Sequence, residues 1–205
     1  MRQVFRSRFA YVLGWVWVAF VVANAVDLIV RYSGKSSMVA GAVLGVLTAL
    51  IYLIALRPVT VVGERALTVR NPFRTTVMPW ASVGDVTVSH AITVAPVDGE
   101  EESVRLWTPT ATARERAKAQ GRGMAPARRG RLRTEPSLTK AEQAAQEAFA
   151  GKTHADWVGD QITERAEAAR RRKEEAGPVT TTWAIDSLVV IGVALALVLA
   201  AVLVP

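Results

Sequence analysis

Cysteine is absent from this 205-residue chain, so disulfides, thiolate nucleophiles and cysteine-based zinc or iron–sulfur sites are excluded in any compartment. Histidine is nearly absent. Its two occurrences, His90 and His154, have no companion ligands at metal spacing. There is no Gly-x-Ser-x-Gly elbow, no Gly-Lys-Ser/Thr phosphate loop and no dinucleotide fingerprint, and the one Gly121-Arg-Gly123 has no strand before it. These gaps leave no constellation for catalysis, so the expectation is a protein that is not an enzyme and takes no cofactor or metal.

Charge is the other thing in short supply, in three places. Phe9 to Val30, Met38 to Leu56 and Trp183 to Val204 are long apolar runs around a polar stretch of more than 120 residues. Each is close to the roughly 20 residues a helix needs to cross about 30 Å of hydrocarbon. The chain therefore reads as an integral membrane protein, with a transmembrane hairpin over 1–56 (spans at about 9–30 and 38–56) and a third span over 183–204. A cleaved signal peptide is the rival reading of the first run, given Ala23-Asn24-Ala25 after a basic start. The run continues through Val26, Leu28, Ile29 and Val30, and carries Trp15 and Trp17, which argues for a span.

Within the spans, Asn24 and Asp27 are polar, but Asp27 stands four residues before Arg31, where the two can pair at headgroup level. Asp186 falls in the first turn of the third span, where the helix dipole favours a carboxylate. Gly41 and Gly45 have GxxxG spacing, and Gly192, Ala196 and Ala200 follow at four-residue steps. Both sets are candidate helix-packing faces.

Basic residues set the expected orientation. Arg2, Arg6, Arg8, Arg57, Arg65, Arg70, Arg74, Arg170, Arg171, Arg172 and Lys173 flank the spans on one side, and only Arg31 and Lys35 on the other. Eleven against two places the N-terminus and the polar domain in the cytoplasm and the C-terminus outside. The net charge of +7 is concentrated too. Arg105, Arg114, Arg116, Lys118, Arg122, Arg128, Arg129, Arg131 and Arg133 face a single acid, Glu115, across that segment, making it the candidate lipid- or partner-binding stretch.

The polar stretch divides by period. Pro58 to Gly63 and Ala66 to Arg70 form a β-hairpin, and further strands are expected at 75–80, 85–89, 91–95 and 103–107, with Asp98-Gly99 as a turn. Short strands at this spacing predict a curled antiparallel sheet or small barrel over 57–110. Its expected core is Val61, Leu67, Val69, Val77, Trp80, Val86, Val88 and Leu106. Trp80 and Trp107 end strands beside basic residues; core packing is the first reading of both, contact with lipid the second. From 111 to 182 the pattern turns helical and basic, with helices expected near 113–120, 140–150 and 154–176, and a flexible linker over 121–133. Thr112 with Glu115, Thr139 with Glu142 and Thr153 with Asp156 have capping-box spacing, and Gly121, Gly151 and Gly177 stand at expected stops. Ala155, Val158, Ile162, Ala166 and Ala169 supply a buried stripe.

Two spans leading into Val59-Thr-Val-Val-Gly-Glu-Arg-Ala-Leu-Thr-Val-Arg70, then Asn71-Pro72-Phe73-Arg74, Pro79-Trp80 and Ser82 to Val86, resemble the actinobacterial multi-span membrane proteins with a bacterial PH-like domain, the low-molecular-weight protein antigen PH-domain family. The resemblance covers about 50 residues and extends loosely to the third span. It implies an α+β membrane protein with a PH-like β-fold in an actinobacterial plasma membrane, and no established activity. The functional expectation is a membrane-anchored interaction or scaffolding module whose partner is a cytoplasmic or membrane protein. The alternative is direct recognition of anionic lipid headgroups by residues 105–133. Nucleic-acid binding is the weakest reading, because the basic segment lacks interleaved aromatics.

A cysteine-free chain makes orientation simple to test. A single cysteine placed at Ser103 should resist a membrane-impermeant thiol reagent in intact cells and react after permeabilisation. Labelling in intact cells would reverse the topology.

Overall fold

The computed structural model describes residues 2–97, 102–124 and 151–203, with backbone alone over 120–124. The expected 140–150 helix, the Asp98-Gly99 turn and Arg128, Arg129, Arg131 and Arg133 lie outside the described residues. Among the described residues three helices are long and apolar enough to cross a membrane. They are α1 (Arg8–Val30), α2 (Lys35–Ile51, extended by a π-helical turn Tyr52–Leu56) and α5 (Ile185–Leu203). Ser7 caps α1, its hydroxyl accepting from the Ala10 amide at 3.3 Å. Asp27 and Arg31 pair at 3.0 Å on the exposed end of that helix.

Helix α2 sits between the other two. Trp17 of α1 donates to Thr48 Oγ1 at 3.2 Å. Against α5 the contact repeats every seven residues: Ser187, Ala194 and Ala201 are buried on one helix, Ala42 and Ala49 on the other. A methyl group at Gly45 would lie 2.6 Å from Leu197 Cδ1. Gly41 and Gly192 instead have open space where a side chain would stand, and Ala196 is exposed. Gly192 and Ala196 thus face away from α2, while Ala200 is half-buried. Helices crossing at a shallow angle meet again every 3.5 residues on average, so a seven-residue spacing of small side chains keeps the seam closed.

The polar domain has two antiparallel sheets. The first orders its strands β1 (Gln3–Phe5), β2 (Val59–Val62), β3 (Ala66–Arg70), β4 (Arg74–Pro79) and β8 (Thr180–Trp183); the second orders β5 (Val83–Val88), β6 (Ala91–Pro96) and β7 (Val104–Thr110). After β7 comes α3 (Ala113–Met124), which continues past Gly121, and later α4 (His154–Arg171). The Thr153 hydroxyl accepts the Asp156 amide at 3.2 Å, and the Asp156 carboxylate accepts the Thr153 amide at 2.7 Å, so the expected box opens α4. The helix stops at Arg171, before Gly177, with Lys173 left-handed at φ 55°.

Two strands come from outside the 57–110 unit and have no counterpart in the sequence reading. Gln3 to Phe5 pairs with Thr60 to Val62, and Thr180 to Trp183 pairs with Arg74 to Val77. Trp183 therefore closes a strand and does not open the third apolar helix. Its β-branched predecessors Thr180, Thr181 and Thr182 favour the sheet, and the apolar helix begins two residues later.

The core lies between the sheets under α4. Val62, Leu67, Val69, Met78, Trp80, Val83, Ile92, Val94 and Leu106 meet Ala155, Val158, Ile162, Ala166 and Ala169, the full stripe expected of that helix. A methyl on Gly159 would come within 2.5 Å of Val88 Cγ2, so that glycine lets α4 close on β5. Val61 is buried, and Val86 and Val88 are half-buried against the core. Two expectations are corrected. Along β4, Thr76 and Met78 point inward, which turns Val77 outward by the two-residue period. Along β7, Leu106 is buried, so Arg105 and Trp107 face away from the core. Trp107 is 46% exposed and Trp80 is 2% exposed.

That contrast predicts different costs of truncation. Trp80→Ala should destabilise the detergent-solubilised full chain by about 3–5 kcal/mol, while Trp107→Ala should cost about 1 kcal/mol or less. Thermal unfolding measures both, and equal losses would contradict the register of β7.

Candidate functional site

The strongest polar constellation lies where the domain meets the apolar helices. The π-helical turn widens the end of α2, with the Arg57 amide donating to Tyr52 O at 2.9 Å, and aims the Arg57 side chain into the junction. Arg57 is buried. Its Nε donates to Asp186 Oδ2 at 2.9 Å, and its Nη2 to Asp186 Oδ1 and to Thr75 Oγ1, each at 3.2 Å. Nη1 donates to the carbonyl of Asn71. The Tyr52 hydroxyl adds a 2.6 Å bond to Asp186 Oδ2. A guanidinium is a planar fork that matches a carboxylate in two places and still has donors for backbone, so one side chain joins α2, α5, β4 and the β3–β4 turn. Asp186 is thus a pairing residue as well as a helix-start carboxylate.

The β3–β4 turn, Asn71 to Phe73, is tied down from the other side. The Ser187 hydroxyl donates to Pro72 O at 2.5 Å and the Ala184 amide to Phe73 O at 2.9 Å, both from the start of α5. Asn71 Nδ2 donates to Arg105 O at 2.8 Å, and its Oδ1 accepts the Trp107 amide at 3.2 Å. The side-chain amide imitates a β-ladder partner and brings β7 to the turn.

This arrangement leaves an open cleft of two chambers that share Asn71, Arg74 and Arg105. The lower chamber, about 790 Å³ and largely apolar, is bounded by Ala10 of α1, Ile54 of α2, Phe73, Trp107 and His90. The upper, about 550 Å³ and polar, is bounded by Thr76, Ser103, Thr181, Val179 and Glu102. Arg74 stacks over the Trp183 ring at 5.1 Å and lies 3.9 Å from the well-exposed carboxylate of Glu102. Arg105 is exposed and has no ion pair among the described residues.

Of the nine basic residues expected to act together, Arg105 is in this cleft. Arg114 and Lys118 are exposed on α3, Arg116 is half-buried there, and the backbone of Arg122 is in the same helix. The Glu115 carboxylate accepts from the Thr112 amide at 2.9 Å, which holds it below the usual carboxylate range. This cap contributes fully above the ordinary carboxylate pKa and is lost as pH falls through the lowered one. Among the described residues no group of histidine, aspartate and glutamate is placed to hold a metal. From the sequence, Arg74 bears on topology and Asn71-Pro72-Phe73-Arg74 on the family resemblance, but none of them is a candidate binding residue; the signal was that motif itself, a polar turn carrying an exposed aromatic.

Residues 57–128 match the family model of the bacterial PH domain. The match begins at Arg57 and takes in β2 to β7 and α3, about a third of the chain. No curated protein matches the chain, and no solved structure does. The domain is thus a PH-like antiparallel β-sheet domain with helices, completed by β1, β8 and α4 from outside the matched residues.

The clamp has a testable cost. Asp186→Leu leaves Arg57 buried and unpaired and should destabilise the full chain by about 3 kcal/mol, the low end for a broken buried pair because Asp186 is half-exposed. The double variant Arg57→Met with Asp186→Leu should lose less than the two single losses added together. Strict additivity in thermal unfolding would mean the two side chains are not coupled.

Proposed function

We propose that this chain is an integral plasma-membrane protein of the actinobacterial PH-domain antigen kind, and that its PH-like domain is a cytoplasmic interaction module without catalytic activity. The observation that carries the reading is the placement of three strands. β1 ends three residues before α1 begins, β2 starts three residues after the π-helical turn, and β8 ends two residues before α5, and all three strands belong to one sheet. The domain is therefore fastened at three points to the ends of three apolar helices. A sheet held in that way presents its outer surface at a set height and orientation over a bilayer, which suits holding a partner protein near the membrane. The excess of arginine and lysine at these helix ends supports a cytoplasmic domain. As a fold alone, a PH-like domain names no ligand.

Anionic-lipid recognition is the second reading. Its support is the pair Arg74 and Arg105 in a cleft beside the helix ends.

Affinity capture from native membranes tests the first reading. The intact chain should retain proteins that a version lacking residues 57–182, with its three apolar helices kept, does not. Identical sets from both would leave the domain without a partner and overturn the proposal.

A further inference from the structure

We propose that the cleft between the β3–β4 turn and β7 binds one anionic phospholipid from the bilayer leaflet beneath the domain, its phosphate between Arg74 and Arg105. The proposal rests on the membrane reading above and assigns a ligand to a site that the PH-domain match leaves without one.

The order of polarity in the cleft matches a lipid standing in its leaflet. Strand β4 runs away from the helix ends, from Arg74 to Pro79, and β8 runs back toward them, from Thr180 to Trp183. Thr76 and Thr181 are thus set above Arg74, and their hydroxyls lie 3.1 Å apart in the upper chamber. Ala10 and Ile54, in the terminal turns of α1 and α2, set the lower chamber at the level where acyl chains begin. Phe73 and Trp107 are about half exposed and Trp183 more so around that level, where amphipathic rings gather at a membrane interface. Between the two chambers stand the two guanidinium groups. Chain, phosphate and polar headgroup would meet apolar wall, cations and hydroxyls in sequence.

Charge decides for an anionic lipid over a neutral one. Glu102 approaches Arg74 at only 3.9 Å and is almost fully exposed, so a phosphate competes with it at little cost. Among the described residues Arg105 has no carboxylate partner to give up. A guanidinium also bonds two phosphate oxygens at once, which makes a pair of arginines a directional acceptor site as well as a source of positive potential.

Native mass spectrometry of the detergent-purified full chain, after exposure to phosphatidylglycerol or phosphatidylcholine, reads the site directly. One phosphatidylglycerol per chain should be retained, and phosphatidylcholine should not. Arg105→Gln, whose side chain makes no hydrogen bond or ion pair among the described residues, and the double variant Arg74→Gln with Arg105→Gln should weaken retention, the double variant by about tenfold or more. Trp107→Ser should weaken it through the apolar wall. Replacing Arg122, Arg128, Arg129, Arg131 and Arg133 with Gln should leave it unchanged. Equal retention of both lipids, or loss only in that last variant, would overturn the cleft as the site. The latter result would still leave lipid recognition by the basic segment standing, and partner capture by the intact chain is read independently of either.

Discussion

A buried guanidinium at position 57 organises the junction on which the rest of the molecule depends. Arg57 is the first residue after the π-helical turn of α2, and taking an arginine out of water is unfavourable unless its donors find partners. Here four of the five are spent on Asp186, Thr75 and the carbonyl of Asn71. The carboxylate is at the start of α5, the carbonyl is in the β3–β4 turn and the hydroxyl is in β4. Satisfying one charge therefore sets the positions of two apolar helices and one hairpin relative to each other.

Once that hairpin is placed, its turn organises what lies beside it. Ser187 and Ala184 hold Pro72 and Phe73 from α5, and Asn71 reaches across to β7. Sheet one is extended on both edges by strands that belong to the helix approaches, β1 and β8. The two sheets are then sealed by α4, whose Ala155 to Ala169 stripe supplies the third wall of the core. Phe5 of β1 packs edge-on to Trp157 at 6.1 Å, so even the first strand is coupled to that helix. A domain built in this way cannot tilt freely on its helices. Its height above them is a property of the fold.

The cleft is a by-product of the same geometry. Holding β7 at the turn by one asparagine, and not by a full ladder, leaves a gap between them that Leu106 closes on the core side only. Outward alternation then puts Arg105 and Trp107 on the gap's wall, beside Arg74 and Phe73 from the turn. Four residues of types that serve interfaces well come together for reasons of strand register.

How much of this is legible in the chain by itself follows from range. Apolar length, a local property, predicts α1, α2 and α5 directly, and capping chemistry plus a 3.6-residue stripe predicts the start of α4 and its buried stripe, though not its end at Arg171. Hairpin composition predicts β2 and β3, and the absence of cysteine and of catalytic motifs bounds the chemistry. What tertiary structure decided was everything that depends on pairing partners. Gln3 to Phe5 and Thr180 to Trp183 are too short to announce themselves as strands and become so only because β2 and β4 offer open edges. Val77 and Trp107 read as core by type, yet a two-residue period lets only one of two neighbours face inward, and Met78 and Leu106 take those places. Arg57 looks like one more positive residue at a span end until Asp186, 129 residues away, is brought against it. Local preference is written in neighbouring residues, whereas register, edges and buried charge pairs exist only after distant segments have met.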